Sequence, residues 1–489
     1  MMANELLNLK PANVWNHFYA LTQIPRPSGH MTEITAFVEN FGKKLGLDTQ
    51  RDKQGNICIR KPATPGYENK PVVILQAHLD MVPQNNSDTP FDFTKDKINA
   101  YVDGDWVKAK GTTLGADNGI GVAAILAILE ANDLQHGALE GLFTVDEETG
   151  MYGAWAVRPG FVDGKIMLNT DSETDGELYI GCAGGADVTA QFQYEDETWI
   201  PKEDVAVKVS LTGLKGGHSG CDIHLGRANA NKLLFRFLKE AMETYDVRLS
   251  VVSGGTLRNA IPRESFATIV VDGKSPYEHI VKMVAGYEAL FNEEFAHIEE
   301  NIRFKAERVE ITPDLKLIPK QVQERLTHAI AACQNNAINR FALIPGTVET
   351  SINLAIVQSQ PGLTEVKLLA RSSSESRKKD LCNSIVSVFK LAKADLAEVS
   401  NEYPGWNPNP ESAVLKVMEQ VFETQRGKKP EVMVMHAGLE CGIILSSVPG
   451  LDTVSFGPTI LYPHSPDEKV EIATVQKFWE YLTTILKQI

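Results

Sequence analysis

Short apolar runs alternate with a helix-like segment in the first third of this chain, and they restrict its fold most strongly. Residues 72–77 (VVILQA), 141–145 (GLFTV) and 165–168 (KIML) each suit a strand that is buried on both faces. Between the first two, apolar residues recur at helical spacing over 115–134. This alternation predicts an α/β fold with a central mixed sheet flanked by helices. Functional residues in such sheets lie at the carboxyl ends of the strands.

A different pattern begins near residue 187 and indicates a second domain. Residues 205–211 and 247–252 alternate between polar and apolar side chains, as half-exposed strands do, and an amphipathic helix is predicted between them at 228–245. Further strands and helices follow, of which the last is a helix predicted near 378–399. The segment is typical of an inserted α+β domain.

The Pro- and Asn-rich segment 403–410 (YPGWNPNP) is typical of a linker, and helical and apolar patterns resume beyond it. The simplest organisation is a catalytic domain in two parts, 1–186 and 403–489, with 187–402 inserted between them. We expect the insert to be the lid and dimerisation domain.

Composition excludes several classes of protein. The formal net charge of -15 disfavours nucleic-acid binding, because an acidic surface repels phosphates. The six cysteines contain no CxxC pair, so they favour neither a disulfide framework nor a thiolate metal site. We find no secretory signal and no apolar run of the roughly 20 residues that a membrane span requires. The expected location is the cytoplasm.

Polar residues follow the three buried runs directly. His78-Leu79-Asp80 comes after the first, Glu147 and Glu148 come after the second, and Asp171 comes after the third. Each alone also suits a solvated loop. Because parallel strands of one sheet end at the same edge, we expect these side chains to converge.

Two further candidates lie outside those strands. Asp117 stands in TTLGADNGIG where the apolar helix begins, and His464 stands in LYPHSPDE between prolines. By itself Asp117 also suits a helix N-terminus, where a carboxylate interacts well with the helix dipole. Two imidazoles and three carboxylates without a thiolate favour a pair of zinc ions, with manganese or cobalt as possible substitutes.

Two residues suit supporting roles. Asp80 shares a face with His78 in an extended segment, so it is placed to orient the imidazole through the second ring nitrogen. A two-metal site also needs an acid that accepts the proton of the attacking water and passes it on. Glu147 is the candidate, because its neighbour Glu148 is expected to bind metal.

The motifs HLD, GADNG, DEE, NTD and HSPDE, in this order, resemble those of the cocatalytic-zinc peptidases, a family that includes carnosinases, tripeptidase T and bacterial deacylases. The longer motifs TTLGADNGIG, FTVDEETG, GLKGGHSG, RNAIPRE and HAGLECG span nearly the whole chain. They resemble most specifically the members of this family that cut aminoacyl-histidine dipeptides. The resemblance implies a zinc-peptidase-like catalytic domain and an inserted lid.

The same resemblance implies a role for each matching residue. Asp117 would bridge two Zn²⁺ ions, His78 and Asp171 would complete one metal site, and Glu148 and His464 would complete the other. Catalysis would depend on Asp80, which orients a ligand, and on Glu147, the general base and acid.

The resemblance also implies residues that bind the substrate. His218 would stabilise the tetrahedral intermediate from the lid, Asn259 and Arg371 would hold the carboxylate end, and Glu440 would line the pocket. An Arg fork suits a carboxylate. A carboxylate held one residue past the scissile bond limits the substrate to a dipeptide. Homodimerisation through the lid and preference for Xaa-His, including β-alanyl-histidine (carnosine), are implied in the same way.

Other functions fit the same motifs. An N-acyl amino acid deacylase or a tripeptide aminopeptidase would use the same metal centre with a different pocket. A non-catalytic metal-binding protein is disfavoured because Asp80 and Glu147 are both present. A serine or cysteine hydrolase is disfavoured because no GxSxG motif occurs and no cysteine stands in a nucleophile motif.

Overall fold

The computed structural model describes residues 5–198, 205–271, 277–310, 315–342 and 344–489. The chain divides into two compact units. The first unit comprises the chain up to Gly181 together with Trp406–Val434 and Leu439–Ile489, and the second comprises Cys182–Gly405 and Met435–Gly438. Residues 435–438 group with the second unit, although they lie within 403–489, the predicted second part of the catalytic domain. Nothing in their local pattern reveals that their contacts are with the inserted segment.

The N-terminal part of the chain supplies most of the first unit. Its elements are α1 (Ala12–Thr22), α2 (Thr32–Lys44), β1 (Asp48–Arg51), β2 (Ile57–Lys61), β3 (Val73–His78), β4 (Ala100–Asp103), β5 (Trp106–Ala109), α3 (Ala116–Glu130), β6 (Leu139–Thr144), α4 (Tyr152–Ala156), β7 (Ile166–Asn169) and β8 (Glu177–Cys182). Every residue of β3 and β6 is buried, as their apolar sequences require.

The central part of the chain forms the second unit. Its elements are β9 (Gly184–Gln193), β10 (Glu197–Thr198), β11 (Val205–Thr212), β12 (Gly217–His218), α5 (Ala230–Tyr245), β13 (Arg248–Gly254), β14 (Ala260–Ile261), β15 (Ser265–Val271), α6 (Tyr277–Glu294), β16 (Arg303–Val309), β17 (Lys316–Leu317), α7 (Lys320–Ala332), β18 (Asn336–Arg340), β19 (Val348–Gln360), β20 (Leu363–Ser372), α8 (Glu375–Leu391) and β21 (Leu396–Tyr403).

The C-terminal part returns to the first unit, apart from Met435–Gly438. Its elements are α9 (Ala413–Arg426), β22 (Glu431–Met435), α10 (Glu440–Ser447), β23 (Asp452–Ser455), β24 (Ile460–Leu461), β25 (Lys469–Glu471) and α11 (Ile472–Gln488). Within the residues described, no helix is long and apolar enough to cross a membrane.

The strands of the first unit form a mixed central sheet. Over the described residues its order is β1-β2-β6-β3-β7-β23-β8-β22. The pairs β6-β3, β3-β7 and β7-β23 are parallel. The pairs β1-β2, β2-β6 and β23-β8 are antiparallel. The predicted α/β fold with a central mixed sheet is therefore confirmed, and β3, β6 and β7 lie within two residues of their predicted bounds.

The second unit contains a nine-stranded sheet, counted over the residues that the structure describes. Along it the order is β16-β11-β15-β13-β19-β20-β9-β21, and β18 also pairs with β19. Helices α5, α6, α7 and α8 contribute apolar side chains to the buried core of this unit, which includes Phe235, Phe237, Phe291 and Phe389. The segment is thus an α+β unit.

The helix predicted near 378–399 is wrong beyond Leu391. Helix α8 ends at Leu391, and the backbone N–H of Ala394 donates to the carbonyl of Phe389 across a left-handed Lys393 (φ 55°). A left-handed residue directly past the last turn is a common helix terminus. The chain then enters β21, whose polar groups pair antiparallel with β9. Pairing with a distant strand therefore overrides the local helical pattern.

Candidate metal centre

The parallel strands of the first unit bring the predicted polar residues to one edge. His78 is the last residue of β3 and stands opposite Thr144, the last residue of β6. Glu148 follows β6 by four residues, and Asp171 follows β7 by two. Because the three strands are parallel neighbours, their carboxyl ends supply an imidazole and acids to a common point.

Asp117 lies between two imidazoles that are far apart in the sequence. Its Oδ1 atom is 3.1 Å from Nε2 of His78, and its Oδ2 atom is 3.3 Å from Nε2 of His464. The same nitrogen of His78 lies 3.2 Å from Oδ1 of Asp171, and that of His464 lies 3.0 Å from Oε2 of Glu148. The five predicted ligands therefore form one continuous cluster, with Asp117 shared between two halves.

Local backbone geometry explains how Asp117 reaches this position. Asp117 (φ -78°, ψ 115°) and Asn118 (φ -97°, ψ 29°) depart from helical geometry at the beginning of α3. The left-handed Gly115 (φ 70°) precedes them, in a conformation that glycine adopts without steric cost. Asn118 also donates from Nδ2 to Oδ1 of Asp171 at 2.6 Å. The turn therefore presents both carboxylate oxygens of Asp117 to the cluster.

Charge and burial oppose each other at these groups. Burial alone would lower the pKa of His78, but the carboxylates of Asp171 and Asp117 raise that pKa well above its usual value. Hydrogen bonding to Asp117 and Glu148 raises the pKa of His464 to about 11. Burial raises the pKa of Asp171 to about 6. Acids this close and this buried favour a neighbouring cation.

The donor set fits divalent metal ions. His78, Asp117 and Glu148 each offer one ligand atom, and these atoms lie within 4.8 Å of one another. Buried Oε1 of Glu148 has no hydrogen-bond partner among the residues described, which leaves a carboxylate oxygen available as a ligand. Imidazole and carboxylate ligands without thiolate suit zinc and its common substitutes.

Asp80 supports the site from behind. The side chain is completely buried, and its Oδ1 atom lies 3.4 Å from Nδ1 of His78. Its carboxylate also accepts hydrogen bonds from the backbone N–H groups of Glu147 (3.0 Å) and Glu148 (3.2 Å) and from the Ser28 hydroxyl (2.8 Å). Asp80 therefore joins the segment after β3 to the segment after β6, a role that was not predicted from the sequence.

Glu147 is half-buried beside these residues. Burial, the largest influence, raises the pKa of its carboxyl group well above the usual value, and the neighbouring acids Asp171, Glu440 and Glu148 act in the same direction. The side chain is therefore in the electrostatic surroundings of the cluster, and a proton on it is stabilised relative to water.

Glu440 occupies a different kind of position. It is the first residue of α10 and is completely buried. Its Oε2 atom accepts hydrogen bonds from Nε2 of Gln76 (2.6 Å) and from the hydroxyl of Thr144 (2.7 Å). Burial raises the pKa of Glu440 to about 7. The side chain is thus bound to β3 and β6 behind their carboxyl ends, and its role in substrate binding stays a prediction.

The remaining predicted residues belong to the second unit. Nδ1 of His218 accepts the backbone N–H groups of Gly220 (3.2 Å) and Cys221 (3.0 Å), so the neutral ring carries its proton on Nε2. Buried Arg371 donates from Nη1 to the Tyr403 hydroxyl at 3.0 Å, and its Nε has no hydrogen-bond partner in the described part of the chain. Burial and the Arg371 charge lower the pKa of His218.

Asn259 and His436 complete this group of the second unit. Asn259 is exposed, and its backbone carbonyl accepts the N–H of Ser219 at 2.7 Å. His436 is buried, and Nε2 of its ring lies 2.7 Å from the Ser351 hydroxyl. Burial, followed by the charge of Arg371, lowers the pKa of His436 to about 3. The second unit therefore offers one arginine and neutral imidazoles in one electrostatic neighbourhood.

Three residues near the metal centre were not predicted. Arg26 and Glu468 are both 2% exposed and bind backbone groups next to Asp117. Glu173 is half-buried, and burial together with Asp117 and Asp171 raises its pKa to about 9. Glu468 belongs to the HSPDE motif, so its proximity to His464 was a usable signal, but no local pattern points to Arg26 or Glu173.

Fold and cluster together define a class of protein. A family model described as peptidase family M20/M25/M40 matches residues 74–488. That range covers the central sheet from β3 onward and all five clustered side chains from His78 to His464. The chain therefore belongs to this peptidase family.

Individual relatives are similar over nearly the whole chain. The cytosol non-specific dipeptidase of Escherichia coli (strain K12) is 43% identical over 486 residues, which are 99% of each chain. The crystal structure of aminoacylhistidine dipeptidase from Vibrio alginolyticus is 44% identical, has a TM-score of 0.93, and matches over 99% of this chain and 98% of that one. Aminopeptidase PepT from Bacillus cereus is 16% identical, with a TM-score of 0.56 over 98% and 99% of the two chains, and shows the shared fold alone.

Proposed function

We propose that this chain is a metal-dependent dipeptidase that hydrolyses Xaa-His dipeptides, including β-alanyl-histidine. The observation that carries the proposal is the position of Asp117, each of whose oxygens faces a different imidazole. The names of the E. coli and V. alginolyticus relatives support the substrate class. The E. coli relative's name also supports a cytoplasmic location. Homodimerisation through the second unit stays a prediction that sedimentation velocity can test.

The five clustered residues would hold two metal ions. His78 and Asp171 would bind one ion, Glu148 and His464 would bind the other, and Asp117 would bridge them. When bound, two zinc ions polarise a carbonyl oxygen and lower the pKa of a water molecule. Asp80 accepts the backbone N–H of Glu148 and lies next to the His78 imidazole. It would therefore hold one ligand of each ion, His78 and Glu148, in place.

Glu147 would transfer the proton that hydrolysis requires. It would accept a proton from the water whose oxygen adds to the carbonyl carbon, and then donate that proton to the leaving amine as the C–N bond breaks. The burial that raises the pKa of Glu147 favours the protonated form from which this donation occurs. The products are an amino acid with a new carboxylate and a free histidine.

The second unit would recognise the carboxylate end of the dipeptide. Arg371 is buried and keeps an unpaired Nε, so its guanidinium has a donor available for a carboxylate. The neutral His218 carries its free proton on Nε2, which suits a donor to a developing oxyanion. Asn259 would add an exposed amide. A longer peptide lacks a carboxylate at this distance from the scissile bond and would be a poor substrate.

Replacing Arg371 with Met is expected to raise KM for a dipeptide by about 10- to 100-fold with a smaller change in kcat, because a hydrogen bond to a charged group contributes about 1.5–3 kcal/mol. The measurement is steady-state kinetics on a dipeptide and on its C-terminal amide. Only the dipeptide acid should lose affinity. Tyr403→Phe is the control, since it removes the hydroxyl that accepts from Arg371 but keeps the guanidinium. An equal loss on acid and amide would contradict the carboxylate role.

A metal assay combined with a substrate panel tests the whole proposal. Purified protein is stripped by a chelator, reloaded with Zn²⁺, Mn²⁺ or Co²⁺, and assayed on Xaa-His dipeptides, tripeptides of matched sequence and an N-acetyl amino acid. We expect no hydrolysis without metal, two ions per chain on reloading, and fastest turnover of dipeptides. Faster cleavage of the N-acetyl amino acid would favour a deacylase, and metal binding without any hydrolysis would favour a binding protein.

A further inference from the structure

A buried carboxylate binds the turn that carries Asp117. Glu468 is 2% exposed, and each of its oxygens accepts two consecutive backbone N–H groups. Oε2 accepts from Leu114 (2.7 Å) and Gly115 (2.9 Å), and Oε1 accepts from Ala116 (2.7 Å) and Asp117 (3.2 Å). One side chain therefore satisfies every N–H of the turn up to the shared ligand. No other acid in the described residues is shown to accept four backbone N–H groups in succession.

A buried arginine binds the carbonyl groups of the same region. Arg26 is 2% exposed and donates from Nη1 to the carbonyls of Leu79 (3.0 Å) and Asp80 (3.0 Å), and from Nη2 to the carbonyl of Gly115. Its own carbonyl accepts the N–H of Met81 at 3.1 Å. Arg26 thus connects the segment that follows His78 to the turn that precedes Asp117.

The backbone around Asp117 leaves no space for a side chain at Gly115 or at Gly119. A Cβ atom at Gly115 would lie 2.5 Å from Nη2 of Arg26 and 2.9 Å from Sδ of Met81, and one at Gly119 would lie 2.7 Å from the same nitrogen. The guanidinium therefore packs directly against Gly115 in the turn and Gly119 in α3. Gly115 also has a φ of 70°, a conformation that glycine adopts without steric cost. Both the lack of space and the backbone conformation therefore require glycine at this position.

Glu468 also belongs to the segment that carries His464. Its backbone N–H donates to the carbonyl of Ser465 at 3.0 Å, and the N–H of Asp467 donates to the Ser465 hydroxyl at 3.2 Å. The five residues from His464 to Glu468 thus form one compact turn. The Glu468 side chain therefore joins the segment of His464 to the segment of Asp117, whose carboxylate lies next to the His464 imidazole.

We infer that Arg26 and Glu468 are positioning residues that set the spacing of Asp117 to His78 and to His464, and so control metal affinity. Arg26 joins the Asp117 turn to the His78 strand end, and Glu468 joins it to the His464 loop. The inference depends on the proposed two-metal site. Neither residue is needed as a ligand, because Glu468 uses both oxygens on backbone N–H groups and Arg26 has no lone pair to offer.

Glu140, in the same unit, provides a matched control for Glu468. Glu140 is also 2% exposed, and its carboxylate accepts backbone N–H groups from Asp163 (2.9 and 3.1 Å) and Gly164 (3.0 Å) and the side chain of Arg60 (3.1 Å). It lies near the amino end of β6, on the strand whose other end precedes Glu148. Loss of its charge should destabilise the fold without moving a ligand.

The experiment compares Glu468→Gln with Glu140→Gln. Zn²⁺ dissociation constants are measured by competition with a chromophoric chelator, and the absorption spectrum of the Co²⁺-loaded protein reports ligand geometry. We expect Glu468→Gln to weaken binding of at least one ion by about 10- to 100-fold, the usual range for residues that orient metal ligands, and to alter the Co²⁺ bands. Glu140→Gln should keep both affinities within about threefold, whatever its melting temperature.

Arg26→Met is expected to weaken metal binding in the same range as Glu468→Gln. Glu468→Asp, which retains the charge but shortens the side chain, provides a second variant should Glu468→Gln fail to fold, and we expect an intermediate affinity. Parental affinities in folded Glu468→Gln or Glu468→Asp protein would overturn the inference. If the unmodified protein itself binds no metal, the proposed function fails, and that result is distinct because it appears before any substitution is made.

Discussion

Glu147→Gln is expected to lower kcat for dipeptide hydrolysis by about 10²- to 10⁴-fold, the range that a general acid-base group contributes. The substitution keeps the size and polarity of the side chain and removes only its capacity to accept a proton. The segment after β6 should keep its position, because the backbone N–H groups of Glu147 and Glu148 remain bound to Asp80. Metal content by plasma emission spectroscopy should therefore stay at two ions per chain.

The kinetic result separates a proton-transfer role from a structural one. Because the substitution acts on the chemical step, kcat should fall while KM changes little. Glu147→Asp retains a carboxyl group one methylene further from the cluster and should recover part of the lost rate. A Glu147→Gln protein with two bound ions and more than a tenth of the parental kcat would exclude Glu147 as the general base.

Asp117→Asn is expected to remove at least one metal ion and to lower kcat/KM by more than about 100-fold, which is the upper end for substitutions that only orient a ligand. Both oxygens of Asp117 face imidazoles, at 3.1 Å from Nε2 of His78 and 3.3 Å from Nε2 of His464. An amide offers one acceptor oxygen and a donor NH₂ group, so it can serve only one of the two metal sites.

Metal stoichiometry after equilibration with Zn²⁺ is the primary measurement, and dipeptide hydrolysis is the second. Asp175→Asn is the matched control, because Asp175 follows β7 only four residues beyond Asp171 but faces Arg426 and Lys477 at 3.7–3.8 Å. That variant should bind two ions and keep its activity. Two tightly bound ions in Asp117→Asn protein would contradict the bridging role and would require another residue to join the sites.

Much of the first unit could be predicted from local pattern. Continuous apolar runs identify β3, β6 and β7, because a strand that is covered on both faces carries mostly apolar side chains. Strands β1 and β2 were missed: β1 has the sequence DTQR and is largely exposed at the edge of the sheet. An edge strand that is half solvated carries no apolar run, so only its pairing with β2 identifies it.

The inserted unit shows the same limit. Alternation of polar and apolar residues identifies β11 and β13, and amphipathic spacing identifies α5. The end of the helix predicted near 378–399 was wrong because the stretch after Leu391 owes its extended form to hydrogen bonds with β9, more than 200 residues earlier. The local sequence around residues 392–403 carries no information about pairing with a strand so far away in the chain.

The sequence by itself determined the chemistry of the candidate metal centre: histidines and acids that directly follow buried strands, a carboxylate at the start of an apolar helix, and a late histidine held between prolines. Only the tertiary structure decided how these residues are held. Arg26 and Glu468 bind the backbone of the Asp117 turn, and Asp80 binds the backbone of the Glu147 segment. Such contacts join side chains to peptide groups, which every residue possesses, so the sequence does not show which backbone segment each side chain binds.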